Sequence, residues 1–295
     1  MPQTPEILEN PEHPLAAWFD DHRAERQEFR RRADPVSGRD RSRAIITMVH
    51  NERFFLPVWL KYYSRFFSPE DIYVLDNESD DGSTAGAAGN FQTEIVRMDR
   101  VDHTWMVRTI EARQHELLDR GYEVVLVTDV DELVVPDPRL GDLGDYIDTM
   151  IEPFVSCMGY ELIHLPDREA PLDPDRLITE QRGYWTENAA YNKSAMATEP
   201  SRWEPGFHRR IDKHFRGDPD LLMVHLHRAD YDACLARHQL RKNRKWGEED
   251  ADSGWAAHNM ITGREEFDRW FFGETGFEGF PLRVERIPER WRGAF

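Results

Sequence analysis

Cysteine is scarce in this chain, which has only Cys157 and Cys234 among 295 residues. Neither has the neighbour spacing that is typical of a metal motif, and both lie in apolar or helical patterns. A pair of isolated thiols excludes a disulfide-stapled secreted scaffold. We predict buried free thiols in a reducing compartment.

Long apolar runs are absent as well. No stretch approaches the roughly twenty apolar residues that span a bilayer, and the N-terminus lacks the apolar core of a signal peptide. The sequence therefore predicts a cytoplasmic protein without a transmembrane segment.

Basic residues are too few to balance the acids. The chain has 38 Lys+Arg against 56 Asp+Glu, a net charge of -18. Such a surface repels polyanions, which argues against nucleic acid or an anionic membrane as the main partner. An anionic small ligand would need cations placed close to it.

Strand and helix patterns alternate from Arg43 to about residue 135. Apolar runs predict strands at 44–49, 71–76, 93–98 and 123–128, and helical spacing predicts helices at 54–67 and 106–120. This alternation predicts an α/β fold with a Rossmann-like, mostly parallel sheet, whose ligands bind beyond the carboxyl ends of the strands. The pattern then becomes irregular, with strands predicted at 154–165, 189–197 and 221–227 and a helix from residue 230.

The composition also predicts the domain boundaries. Residues 1–41 are rich in proline and charge and hold one amphipathic stretch at 15–29, which predicts an N-terminal extension made of a helix and a linker. Residues 42–246 would form one domain with halves at 42–135 and 136–246. Residues 247–295 would form a helical, Trp-rich extension that packs on this domain.

Polar loops follow three of the predicted strands, at residues 50–52, 76–82 and 129–132. The third loop carries Asp129, Asp131 and Glu132 directly after an apolar strand. Carboxylates are costly in apolar surroundings unless they meet a cation, and hard oxygen ligands suit Mg²⁺ or Mn²⁺. The loop therefore predicts a metal site, with a solvated acidic turn as the alternative.

Two histidines can complete such a site. The strand period of two places His225 and His227 on the same face of the strand at 221–227. Imidazole at a strand end can join carboxylates around a divalent metal. The predicted ligands are Asp129, Asp131, His225 and His227, although only one histidine is needed and a buried core histidine is the alternative for either.

The loop at 76–82 resembles a calcium loop only in part. Its pattern requires a bidentate glutamate where the chain has Ala88, so we reject an EF-hand. Its carboxylate and amide groups can instead accept hydrogen bonds from a nucleobase and ribose. Asp76 and Asn77 are the candidates, and a capped turn is the alternative.

Basic and aromatic side chains supply further candidates for ligand contact. Arg108 and Arg113 lie on the helix before the acidic strand, where one could reach a pyrophosphate, or both could lie on a solvated helix face. Other candidates for phosphate contact are Lys193, His208, Arg209 and Arg210. Candidates for stacking on a sugar are Trp203, Phe207, Trp255, Trp270 and Trp291, although most tryptophans are core residues.

Taken in order, these motifs resemble those of glycosyltransferases with the GT-A fold, in the group similar to families 2 and 92. The matching segments are Val49-His-Asn-Glu52, Val74-Leu-Asp-Asn-Glu-Ser-Asp-Asp-Gly-Ser83, Thr128-Asp-Val-Asp-Glu-Leu133, the imperfect Ala112-Arg-Gln114, and His225 or His227. The resemblance covers roughly residues 43–245. It implies a nucleotide-binding half at 42–135 and an acceptor half at 136–246. The implied reaction is transfer of a sugar from a nucleotide sugar, with UDP favoured, to a hydroxyl of a glycan or small molecule. Inversion of the anomeric centre is expected.

The resemblance also implies roles for individual residues. Asp76 would hold the nucleobase, Glu52 would support the ribose or base, and Arg113 would lie near the diphosphate. Asp131 and His225 would ligate Mn²⁺ or Mg²⁺, and Asp129 would contact ribose or a metal-bound water. The full set of expected donor-binding residues is His50, Glu52, Asp76, Asn77, Arg108, Arg113, Asp129 and Lys193.

The chain departs from the family 2 pattern at the general base. Inverting enzymes of that family supply a late carboxylate, often in a Glu-Asp pair, and no such pair stands at the expected place. Asp167, Glu187, Glu204 and Asp230 are the candidates, and no pattern singles one out. The predicted catalytic residues are Asp131, Glu204 and Asp230.

Three other functions compete with this interpretation. A nucleotidyltransferase can share the sheet and the metal acids, but it normally has a Gly-rich loop after the first strand, and residues 50–53 contain no glycine. A two-metal hydrolase needs more clustered His and Asp ligands. A non-catalytic carbohydrate-binding protein is the alternative outside the enzymes.

Overall fold

The structure is a computed structural model that describes residues 7–8, 40–85, 90–248, 250, 260–273 and 282–295. The helix predicted at 15–29 lies outside these residues, as does Trp255. The predicted domain boundaries stay predictions.

Strands and helices alternate in the first half of the described chain and strands predominate afterwards. The strands are β1 (Ile7–Leu8), β2 (Arg43–Val49), β3 (Ile72–Asp76), β4 (Gln92–Ile95), β5 (Val124–Val127), β6 (Glu132–Pro136), β7 (Phe154–Leu162), β8 (Tyr184–Glu187), β9 (Lys193–Ala197), β10 (Gly217–His225) and β11 (Val284–Arg286). The helices are α1 (Phe55–Tyr63), α2 (His103–Asp119), α3 (Leu143–Thr149), α4 (Tyr231–Lys242) and α5 (Arg264–Phe271).

The central sheet confirms the predicted fold class. Strands β4, β3, β2 and β5 lie side by side in that order and are all parallel. Beyond β5 the sheet becomes mixed: β9 runs antiparallel to β5 and β7, while β10 runs parallel to β7 and antiparallel to β6. The protein is thus a mixed α/β fold with a mostly parallel, Rossmann-like central sheet and an irregular second half.

Successive residues of β2 point to opposite faces of the sheet and each face is buried. Ile45 packs with Trp59 of α1 in one apolar cluster. Ile46 packs with Ile110 of α2 in the other. Because both faces are covered, the strand is apolar at nearly every position, as parallel strands of α/β folds usually are.

The chain turns sharply between β5 and β6, and this turn presents the acids. The Oγ1 of Thr128 accepts a hydrogen bond from the Trp59 indole N–H at 2.9 Å, which ties the end of β5 to α1. The Glu132 N–H donates to the Asp129 carbonyl at 3.1 Å, and the Glu132 carboxylate accepts from the Asp129 N–H at 2.9 Å. The turn is therefore closed by its own residues, and Glu132 already belongs to β6.

None of the described helices combines the length and the apolar character that a membrane span needs.

Candidate functional site

A cleft of about 1450 Å³ lies beyond the carboxyl ends of β2 and β5. Its wall includes the turn with Asp129 and Asp131, and further parts of the wall come from α4 and from the segment at 204–210. This is the position at which parallel α/β sheets bind their ligands.

Lys193 is paired with two acids of the turn. Its Nζ lies 2.6 Å from an oxygen of Asp129 and 2.7 Å from one of Glu132, and its side chain is 2% exposed. Burial works against its charge, but Asp129 and Glu132 raise the pKa of Lys193. The same contacts outweigh burial at Asp129 and lower its pKa, whereas burial dominates at Glu132 and raises its pKa. Lys193 therefore stays charged and holds the turn.

Asp131 is buried and meets a second cation, Arg237 of α4. The Nη1 of Arg237 contacts Asp131, and its Nη2 lies 2.7 Å from an oxygen of Glu52. Burial opposes ionisation of Asp131, but Arg237 and His225 hold its pKa well below the usual range. Burial prevails at Glu52 and raises its pKa. The guanidinium thus bridges the loop after β2 and the loop after β5.

His225 stands at the end of β10 between two acids. Its Nε2 lies 3.6 Å from Asp131, and its Nδ1 lies 3.5 Å from Glu161 of β7. Tyr191 stacks on the imidazole with ring centroids 4.0 Å apart, and its hydroxyl donates to Glu161 at 3.3 Å. Burial favours the neutral ring, but the two acids raise the pKa of His225.

The side chains of Asp131, His225 and His227 offer ligand atoms that all lie within 4.8 Å of one another, and all three residues are buried. One carboxylate and an imidazole fit Mn²⁺ or Mg²⁺ with exchangeable waters, and the nitrogen donor favours Mn²⁺. Asp129 lies at the same turn but is paired with Lys193. The donor set therefore fits a divalent metal at Asp131.

The structure brings some of the expected nucleoside-binding residues to this cleft. His50 and Asn77 line it, and a ring nitrogen of His50 lies 2.7 Å from the Asn77 carbonyl. Asp76 is buried behind them, where its carboxylate accepts from the Ser79 N–H at 2.9 Å and the Thr84 hydroxyl at 2.7 Å. Asp76 thus shapes the loop rather than the cleft surface.

The predicted diphosphate-binding arginines and one predicted catalytic acid lie outside the cleft. Arg108 and Arg113 line a separate depression of about 380 Å³, and Arg113 is ion-paired with Glu94 and Glu116. Asp230 caps helix α4: its carboxylate accepts from the Ala233 N–H at 3.0 Å and the Leu172 N–H at 2.7 Å, and it pairs with Arg182 at 3.2 Å. None of the three predicted residues Arg108, Arg113 and Asp230 lines the cleft.

Glu204, in contrast, lines the cleft together with Phe207 and His208. The turn at 203–210 is closed by pairing of Trp203 with Arg210. Burial and the neighbouring Lys193 lower the pKa of His208 to about 3, so its imidazole is neutral. Of the predicted stacking residues, Phe207 and Trp270 line the cleft, whereas Trp291 packs on Trp185.

The most important residues that the sequence reasoning missed lie on α4 and just after it. Arg237, Arg241 and Arg244 recur at intervals of four and three, which is the spacing of neighbours on one helix face, and all three line the cleft. Glu161 was missed because nothing in an apolar strand at 154–162 marks one acid as a partner of a distant histidine. The arginine spacing could have been noticed, but its direction depends on how α4 packs.

Comparisons with known proteins assign no function to the chain. No protein-family model matches it, and no curated protein matches it. Among solved structures it is similar to mannose-1-phosphate geranyltransferase from Thermus thermophilus, with 12% identity, a TM-score of 0.30, and coverage of 83% of this chain and 73% of that one. A likeness this distant carries no statement about activity.

Proposed function

We propose that the protein is a metal-dependent glycosyltransferase that moves a sugar from a nucleotide-sugar donor, with UDP-sugars favoured, to a hydroxyl acceptor. The observation that supports it most is the convergence of Asp131, His225 and His227 in a large cleft at the carboxyl edge of a Rossmann-like sheet. The resemblance of the motifs to those of GT-A enzymes agrees with this arrangement.

Asp131 and His225 would hold Mn²⁺ or Mg²⁺, which supplies neutralisation of the charge that develops on a leaving nucleoside diphosphate. Asp131 is kept ionised by its cationic neighbours, so it presents a carboxylate. Glu161 lies 3.5 Å from Nδ1 of His225, on the far side of the ring from Asp131, and Tyr191 stacks on the face of the ring. Such partners orient a ligating imidazole and maintain its direction.

The arginines of α4 and of the residues just after it support an anionic donor. A protein of net charge -18 places Arg237, Arg241 and Arg244 along one wall of this cleft. Guanidinium groups bind phosphate oxygens in a planar, bidentate manner. Arg237 already pairs with Asp131 and Glu52, so we assign the diphosphate to Arg241 and Arg244 of this wall, in place of Arg113, and the nucleoside to the wall formed by His50 and Asn77.

We propose Glu204 as the general base that accepts the proton of the acceptor hydroxyl. It is the one residue of the four candidates that lines the cleft. Asp230 is committed to capping α4 and is not proposed. Inversion of the anomeric centre follows only from the resemblance.

The test is release of nucleoside diphosphate from a panel of UDP- and GDP-sugars with Mn²⁺ and with Mg²⁺. Asp131→Asn keeps a hydrogen-bond acceptor for Arg237 but removes the charge, so we expect release to fall by at least about a hundredfold. Glu289→Gln is the matched control, because it also removes one carboxylate, but at a side chain that is 87% exposed. The control should behave like the wild type.

Other outcomes point to the rival functions. Pyrophosphate release from a nucleoside triphosphate and a sugar 1-phosphate would assign a nucleotidyltransferase. Glycan binding without any nucleotide turnover would assign a carbohydrate-binding protein. Wild-type protein with neither diphosphate release nor a metal-dependent thermal shift with UDP or GDP would refute the proposal.

A further inference from the structure

A second cluster of metal-ligating side chains lies beside the candidate active site. It consists of His227, after β10, and Cys234 and His238, which stand one turn apart on α4. All three residues are buried, and their ligand atoms lie within 4.8 Å of one another. We propose that these three residues form a separate site for Zn²⁺ or a similar soft transition metal.

The hydrogen bond made by His238 prepares its ring for ligation. Its Nδ1 lies 3.0 Å from the carbonyl of Ile261, and only an N–H can face a carbonyl. When the ring is neutral, its Nε2 then carries a lone pair toward His227. Metal-ligating histidines commonly donate their second ring nitrogen to a backbone carbonyl in this way.

The two imidazoles already stand at almost the separation that one metal requires. Their Nε2 atoms are 2.9 Å apart. With Zn–N bonds of about 2.0–2.1 Å, that separation gives an angle of roughly 90° at the metal, and the tetrahedral angle needs about 3.3 Å. A movement of a few tenths of an ångström would suffice, with the metal taking the place of the proton that the two nitrogens share.

The third ligand is the thiol of Cys234. Burial raises the pKa of this thiol, so without a metal it is protonated and packs as a small apolar group. Binding of the metal would deprotonate it and release one proton. Since His227 also lines the cleft, a fourth ligand can come from water or from a molecule in the cleft.

Aromatic side chains of α5 pack against this cluster. Trp270 and Phe267 of α5 contact the ring of His238, with centroids 4.7 Å and 5.2 Å away. A metal here would fasten α4 to the end of β10. Because Arg237 lies between Cys234 and His238, the metal would also fix the guanidinium that contacts Asp131 and Glu52.

The site changes the assignment of ligands in the neighbouring one. His227 cannot serve both metals with the same Nε2, which already faces His238. The soft metal takes His227, and His225 remains as the imidazole partner of Asp131. Carboxylate and imidazole then bind one metal, and imidazole and thiolate bind the other.

Titration of the metal-free protein with Co²⁺ tests the proposal, because a thiolate ligand adds a charge-transfer band in the near ultraviolet. We expect the band in the wild type, in Cys157→Ser and in Asp131→Asn, and we expect its loss in Cys234→Ser. In Asp131→Asn, which lacks the carboxylate of the neighbouring site, the band should saturate at one cobalt ion per chain. Zn²⁺ should displace the cobalt and abolish the band.

Cys157 is the matched control, because it is the second buried free cysteine of the described chain and belongs to β7. A wild type without the band, or a band that survives Cys234→Ser, would overturn the proposal. His238→Gln provides a second variant should Cys234→Ser fold poorly: it should weaken Co²⁺ binding at least tenfold, and unchanged binding would contradict the site. All of these readouts are independent of catalysis.

Discussion

Replacement of Lys193 by Met removes the cation that holds the acidic turn. Methionine has a similar length and keeps the apolar contacts of the stem, but it removes the cation that contacts the carboxylate of Glu132, whose side chain is 1% exposed. Asp129 also loses its partner, but its side chain is 40% exposed, so water screens most of that loss.

The expected cost follows from these two environments. Removing one partner of a buried ion pair typically costs about 3–5 kcal/mol, because the other charge stays buried. We expect Lys193→Met to lose about that amount of unfolding free energy, nearly all of it through Glu132. At roughly 2–4 °C per kcal/mol, the melting temperature should fall by on the order of 10 °C.

The assay is urea denaturation at pH 7.5, with the double variant Lys193→Met, Glu132→Gln as the control. Glutamine is neutral, and its amide oxygen can still accept from the Asp129 N–H that now binds Glu132. The double variant should therefore recover at least about 1 kcal/mol relative to Lys193→Met. The denaturant slope should not change, because the folded state stays compact.

Two results would refute this reasoning. A loss below about 1 kcal/mol in Lys193→Met would mean that the turn does not depend on its cation. A double variant as unstable as the single one would show that the loss comes from packing and not from an unpaired charge.

Two further predictions concern stability. Nδ1 of His164 accepts a hydrogen bond from the Tyr231 N–H, and burial, together with Arg182, lowers the pKa of His164 below 6.5. The contribution of His164 to stability is therefore complete above about pH 6.5 and is lost as the pH falls, so the stability difference between wild type and His164→Gln should shrink from pH 7.5 to 5 by up to about 1.4 kcal/mol per pH unit. Denaturation curves that give a constant difference would contradict this. Gly159→Ala should cost about 1–3 kcal/mol of unfolding free energy, because the added methyl group would overlap the backbone of Asn188 and Tyr191. Gly183→Ala should be nearly neutral, because the nearest atom lies 3.7 Å from the added methyl group. Equal melting temperatures for the two variants in calorimetry would contradict this.

The regular part of the sequence determined much of this protein by itself. The apolar runs at β2, β3 and β5 are long enough, and their helical partners regular enough, that an α/β fold with a parallel sheet follows from local pattern alone. The polar loops beyond β2 and β5 must meet because parallel strands end at one edge of the sheet. The strand predicted at 221–227, however, ends at His225, and His227 lies in the turn after it, so the strand period does not place both histidines.

Only the tertiary structure decided which charges meet. Arg237 faces Asp131 and Glu52 because α4 packs across the cleft, and no local pattern fixes that packing. Arg113 turns to Glu94 at the sheet edge for the same reason. The periodicity of the sequence predicts on which face of a strand or helix a side chain lies. The residue with which that side chain pairs depends on packing between segments that are far apart in sequence. The cluster of His227, Cys234 and His238 exists only because the end of β10 is folded against the helix that follows it.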